Sequence, residues 1–171
     1  MKLVRAAADD LPDVVELMNI AYRRTGTGAS WNVEDGYIEG PRIRLAELAR
    51  DAARPGFMLM LWREADGLAG CVSLEPGEEG VFHLGMLAVR PDRQASGAGR
   101  ALLGAGEKLA AERGAHRIRL TVLSPRETLI AWYLRRGYAP TGATEPFPYG
   151  DTRWGRPLRD GLYFVILEKT L

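Results

Sequence analysis

The segment Phe82–Arg100, FHLGMLAVRPDRQASGAGR, decides how the rest of the chain is read. Its first half is mostly apolar, and Pro91 breaks the strand it forms. Small residues follow at Ala95, Ser96, Gly97, Ala98 and Gly99, and a helix begins at Ser96 or Gly97. A loop of this kind leaves unpaired backbone N–H groups at a helix N-terminus, which together make an anion site. Glycine permits the positive φ angles of a tight nest and lets a phosphate approach the backbone. The loop therefore reads as the holder of a pyrophosphate. The plainer alternative is a helix that merely starts after a flexible turn.

Other phosphate-binding patterns fit less well. A Walker loop needs Gly-Lys-Ser/Thr, which is missing. The dinucleotide fingerprint wants a third small residue three positions after Gly99, where this chain has Leu102. It also wants an acidic residue roughly 20 positions on, where Arg117 and Arg119 stand. A nicotinamide-nucleotide binder is thus a poor match.

The wider run is Leu87-Ala88-Val89-x-Pro91-x-x-Gln94-x-x-Gly97-x-Gly99-x-x-Leu102-Leu103. A second strand over Ile118–Val122 and a helix carrying Trp132-Tyr133 and closing on Arg136-Gly137-Tyr138 follow it. Together these resemble the acyl-CoA-binding core of the GNAT superfamily of N-acetyltransferases, well over residues 80–143 and only loosely in the N-terminal third. The resemblance implies an α/β fold: a mixed, mostly antiparallel central sheet flanked by helices. It implies an N-acetyltransferase that moves an acetyl group from acetyl-CoA, as acyl-donor cosubstrate, to a primary amine of a small molecule or amino acid. Transfer would be direct, in a ternary complex. A non-catalytic acyl-CoA-binding or sensing module is the alternative that keeps the same loop.

Site residues come from the same likeness. The backbone of Leu87, Ala88 and Val89 is expected to serve the oxyanion and the pantetheine arm. Gln94, Ala95, Ser96, Gly97, Ala98, Gly99 and Arg100 form the expected cofactor loop. Arg126 departs from the family pattern, standing where many members place an asparagine that contacts the coenzyme arm; it is expected to meet a phosphate of the cofactor instead, or to lie on the solvated face. Tyr133 is the expected general acid, since a phenol with pKa about 10 can protonate a nascent thiolate. His83, four residues before Leu87, and Glu34 are the alternatives for the base. Trp31, Glu34, Arg42 and Tyr149 are expected to face the acceptor, with Glu34 suited to an ammonium and Arg42 to a carboxylate.

Composition agrees with an ordinary globular chain. It has 171 residues, 46% of them apolar, and a net charge of +1. That length suits one domain over 1–171, and the balanced charge argues against a nucleic-acid binder. The single cysteine, Cys71, sits in an apolar segment and reads as a buried thiol rather than a nucleophile. With two histidines in the chain, no metal is expected. No apolar run reaches the roughly 18 residues of a membrane span, and Asp9 and Asp10 stand where a signal peptide is apolar; a cytoplasmic protein without membrane partners is the expectation. Homodimers are common in the family, so a second copy is the protein partner the resemblance implies.

Periodicity supplies the remaining elements. A strand is expected over Lys2–Ala6 and a helix striped by Leu11, Val14, Leu17, Met18 and Ala21. A Gly/Thr/Ser loop covers Thr25–Ser30, and a second helix spans 43–53. Strands are expected over Phe57–Trp62, Leu68–Leu74 and Val81–Val89, and a helix then runs to about Arg113. Gly104 and Gly106 weaken that helix unless they pack closely on the sheet. Ser124-Pro125-Arg126-Glu127 reads as a capping box with proline in the first helical position. Strands over Tyr138–Thr141 and Leu162–Leu167 flank a long connection, Thr144–Asp160, expected to be an ordered loop over the active site.

Overall fold

The computed structural model describes residues 1–23, 33–34 and 36–171. The expected Thr25–Ser30 loop and Trp31 lie outside the described residues. Strand β1 (Val4–Arg5) precedes helix α1 (Leu11–Arg23), the short strand β2 (Ile38–Glu39) and helix α2 (Leu45–Ala52). Strands β3 (Met58–Glu64), β4 (Gly67–Pro76) and β5 (Val81–Val89) follow. Helix α3 (Ala98–Glu112), strand β6 (Arg117–Leu123), helix α4 (Glu127–Leu134) and strand β7 (Ala139–Pro146) come next. Strands β8 (Arg156–Pro157) and β9 (Tyr163–Thr170) complete the order.

Seven strands form one sheet in the order β1-β3-β4-β5-β6-β9-β7. Among the described residues, β5 and β6 run parallel and the other neighbours are antiparallel. The mixed, mostly antiparallel α/β fold is therefore as expected. Alternating side chains bury both faces. Leu59, Leu61, Cys71 and Ala88 pack on one face with Val14, Met18 and Leu48. Met60, Val72, Leu84 and Ile118 pack on the other with Leu102, Leu103 and Leu129. Gly106 is buried there, where a Cβ would touch Leu84 and Val72 at 3.5 Å. Gly104 is exposed and approaches nothing, so close packing accounts for one of the two helix glycines.

Two features of β5 make the site. Its parallel pairing with β6 covers only Val81–His83 against Arg117–Arg119, after which the strands diverge. Beyond His83 the edge of β5 that faces β6 is open. Met86 then takes φ +48, and the register with β4 shifts between Cys71 and Ser73. This is a β-bulge, which re-aims the side chains after it. It puts Met86 and Ala88 with the α1 face and Leu87 and Val89 with the α3 face.

Three local expectations are corrected. The α4 capping box does not form: Arg126 is the N-cap without a side-chain cap, and the helix starts at Glu127. Ser124 Oγ accepts from Tyr163 N at 3.3 Å and so ties β6 to β9. Strand β7 extends to Pro146, into the stretch read as loop. The rest of that stretch contains β8, which pairs with β2 and fastens the late loop to the 36–40 segment. Tertiary pairing overrides the turn-rich composition here.

Candidate active site

Two cavities, each of ≈ 470 Å³, lie where β5 and β6 part. Leu87, Leu129 and Tyr133 line both and form the wall between them. The first is lined by Tyr22, Glu34, Arg42, His83, Arg126 and Trp154, among others. The second is lined by Val89, Gln94, Ala95, Gly97, Gly99, Arg100, Trp132 and Arg136.

The second cavity gathers groups that can attract an anion. Gln94 Nε2 donates to Val89 O at 2.8 Å and closes the loop onto the end of β5. Gly97 adopts φ +84 as the N-cap of α3, and Ala95 adopts φ +65. Among the described residues, the amides of Ala98, Gly99 and Arg100 find no acceptor. They are the first-turn N–H groups at the positive end of the helix dipole. Arg136 stacks 3.5 Å from the Trp132 ring centroid, and its Nη1 donates to Trp132 O at 2.6 Å. Its buried Nε has no partner among the described residues. Burial and the neighbouring Arg135 and Arg100 cations depress its pKa, so an anion between them would relieve a real cost. Ser96 Oγ instead donates to Arg93 O at 2.8 Å, while Ala88 and Ala98 are buried in the core. These three residues offer only main chain.

Arg126 departs from its expected place. Its side chain is buried on the first cavity, where Nη1 donates to Glu34 Oε1 at 3.3 Å. The N-cap position sends it to the α1 side of the wall, away from the 94–100 loop. Glu34 is also gripped by Arg23. Burial alone would raise the Glu34 pKa, but Arg42, Arg23 and Arg126 outweigh it and hold the carboxylate below its ordinary range. So held, Glu34 is a poor proton acceptor at neutral pH, and its oxygens are already engaged by guanidinium groups rather than turned to an ammonium.

Tyr133 is 6% exposed, with its ring edge-on to Trp132 and Tyr138. Burial drives its pKa well above the usual tyrosine value; Tyr22 pushes the same way, and Arg126 and Arg136 pull back only in part. The phenol is therefore held protonated. His83 is exposed and lies in register with Glu75 and Arg119, at the end where the strands are still paired. Four residues of strand put it roughly 13 Å from Leu87, too far for direct contact with that wall.

Tyr149 lines neither cavity. Its hydroxyl donates to Arg159 O at 3.0 Å and accepts from Leu162 N at 2.9 Å, stapling the late loop. The loop reaches the first cavity through Arg153 and Trp154 instead. Tyr22 escaped the sequence reading altogether. It extends from the last turn of α1, and its hydroxyl donates to Leu87 O at 3.0 Å. Its only signal was an aromatic beside the apolar stripe, which core tyrosines share. Cys71 is buried as expected, donating to Met86 O at 3.3 Å, and burial pushes its thiol up to about 12. Among the described residues no group of acidic, histidine or cysteine side chains is arranged to hold a metal. No described helix is long and apolar enough to cross a membrane.

Residues 12–138 match the acetyltransferase (GNAT) family. A mycothiol acetyltransferase from Clavibacter michiganensis is 39% identical over 106 residues, covering 58% of this chain and 34% of that protein. The chain thus spans about a third of the length of the curated relatives it matches. Among solved structures, a ribosomal-protein-alanine N-acetyltransferase from Brucella melitensis superposes with TM-score 0.67 at 20% identity, covering 100% of both chains. An IAA acetyltransferase from Bacillus cereus superposes with TM-score 0.68 at 12% identity, covering 99% of both. These two share the fold. The chain belongs to the GNAT family of acetyltransferases.

Proposed function

We propose that residues 1–171 act as one N-acetyltransferase domain that transfers an acetyl group from acetyl-CoA to a primary amine of a small molecule or amino acid, directly, in a ternary complex. The observation that carries this reading is the shared wall of Leu87, Leu129 and Tyr133 between the cavity under the Gly97 loop and a more polar one. Two substrates entering from opposite sides would meet there in line.

The residues of the second cavity fit coenzyme A. The amides of Ala98, Gly99 and Arg100, with the Arg100 and Arg136 cations, would hold its diphosphate. The open edge of β5 around Leu87 and Val89 would pair with its arm. A thioester supplies an already activated acyl group, so positioning and proton handling suffice. A backbone N–H at Leu87 or Ala88 would stabilise the oxyanion. Tyr133, kept protonated by burial, would give its proton to the departing sulfur. His83 would take the amine's proton through water. A cytoplasmic setting and a homodimer belong to the same reading.

Calorimetry with CoA and acetyl-CoA, followed by thiol release with amines, tests it. Submillimolar binding and amine-dependent thiol release are expected. Absence of binding would end the reading, and binding without release from any amine would turn it toward an acyl-CoA sensor.

A further inference from the structure

Among the described residues, the first cavity is lined by seven arginines and four carboxylates, and around Glu34 the positive charge exceeds what that one acid neutralises. Three guanidinium groups, those of Arg42, Arg23 and Arg126, act on the single carboxylate of Glu34. Two of them are engaged. Arg23 Nε donates to Gly40 O at 2.8 Å, Nη2 to Trp154 O at 3.5 Å, and Nη1 to Glu34. Arg126 Nη1 takes the other Glu34 oxygen. The side chains of Arg23, Glu34 and Arg126 are 5%, 9% and 6% exposed, so this is a buried clamp joining α1 to the start of α4. Elsewhere on the wall, Arg54 pairs with Glu75, Arg119 with Glu168 and Arg153 with Asp151.

Arg42 differs from all of these. Its guanidinium carbon lies 5.3 Å from the Tyr22 ring centroid and 5.5 Å from that of Trp154. The two aromatic contacts orient it, and it is only half-buried. Among the described residues, no carboxylate or carbonyl accepts from its fork. A guanidinium offers five N–H donors in a planar array matched to a carboxylate. Glu34 faces the same cation but is already bound on both oxygens.

We infer that the acceptor amine carries a carboxylate, and that Arg42 is the residue that reads it. The inference rests on the acyltransfer reading and narrows its acceptor. Tyr22 sets the scale of that molecule: its ring lies against Arg42 while its hydroxyl sits on the Leu87 carbonyl. Amine and carboxylate are thus separated by at most about the reach of one aromatic side chain, as in an α-amino acid or a short ω-amino acid. The Glu34 clamp is a positioning device, because it fixes the positive ground on which the carboxylate lands.

Matched pairs of amines test this, with the whole chain saturated in acetyl-CoA: L-amino acids against their carboxamides, and β-alanine and 4-aminobutyrate against propylamine and butylamine. Thiol release is expected to favour the carboxylate member of at least one pair by about tenfold or more in kcat/KM. Arg42→Gln is expected to collapse that ratio toward one, mainly through KM. Arg42→Lys, which keeps charge without the fork, is expected to retain part of it. Lys108→Gln, on the exposed flank of α3, keeps it whole. Calorimetry of the same pairs with CoA bound gives the ratio independently of turnover, and the wild-type comparison needs no variant to fold. Equal use of both members, preference for the uncharged one, or a ratio that survives Arg42→Gln would overturn the inference while leaving acyl transfer intact. Failure to bind CoA would instead strike the underlying reading.

Discussion

The two cavities beside Tyr133 are assembled in opposite ways. The one under the Gly97 loop takes most of its wall from one contiguous stretch, Leu87–Arg100, plus one side of α4. Its candidate donors are first-turn amides beside the Arg100 and Arg136 cations, and a left-handed glycine shapes its loop. The other draws side chains from α1, from Glu34 and Arg42, from β5 and β6, from the start of α4 and from Trp154. Its polarity depends on how these distant segments meet. A site made of backbone tolerates many side chains but few backbone angles. A site made of converging guanidinium groups tolerates backbone drift but not the loss of one charge.

The largest effect that would break this contrast is at Gly97. Its φ of +84 is costly for any side chain, and the open space beside it belongs to the second cavity. Gly97→Trp is expected to lower CoA affinity at least a hundredfold by calorimetry while the protein still melts cooperatively. Unchanged affinity would mean that the backbone loop is not the holder.

Next comes the clamp. Glu34→Gln leaves Arg23 and Arg126 buried without their counter-charge, at an expected cost of about 3–5 kcal/mol in denaturant unfolding. Because the folded-state pKa of Glu34 is depressed, its contribution is present above the unfolded value near 4.5 and is lost as pH falls through the folded one. Wild-type stability is therefore expected to drop more steeply than that of the variant below that pH. Parallel curves would remove Glu34 from the account.

Tyr133 belongs to both cavities, and its replacement sharpens the comparison at their junction. Tyr133→Phe is expected to slow turnover by about a hundredfold and leave CoA binding unchanged. Full-speed turnover would assign the proton to another donor. The smallest effect is expected at Tyr149, whose hydroxyl only staples the late loop. Tyr149→Phe is expected to cost about 1 kcal/mol of stability and to leave KM for the amine within twofold. A large KM change would restore Tyr149 to the acceptor site.

Legibility in the sequence follows the same division. The Gln94-x-x-Gly97-x-Gly99 spacing, the β5 run and the α4 helix ending before Gly137 could be read locally, since each depends on neighbours in the chain. Arg126 was legible as a helix-start residue, yet the direction of its side chain was not. Nothing near it in sequence announces Glu34 or Arg23. Tyr149 carried the look of a cleft aromatic, and only the partners of its hydroxyl reveal a staple.

Local order along the chain was enough to determine the strand–loop–helix unit, because backbone angles and apolar periodicity are short-range properties, and the likeness of its motifs to the GNAT family implied the mixed sheet around it. The β5–β6 divergence that separates the cavities, and the meeting of Arg23, Glu34, Arg42 and Arg126 in one of them, were decided only by tertiary structure. Charge acts through space, and its sum at a point cannot be formed until the fold has brought the groups together.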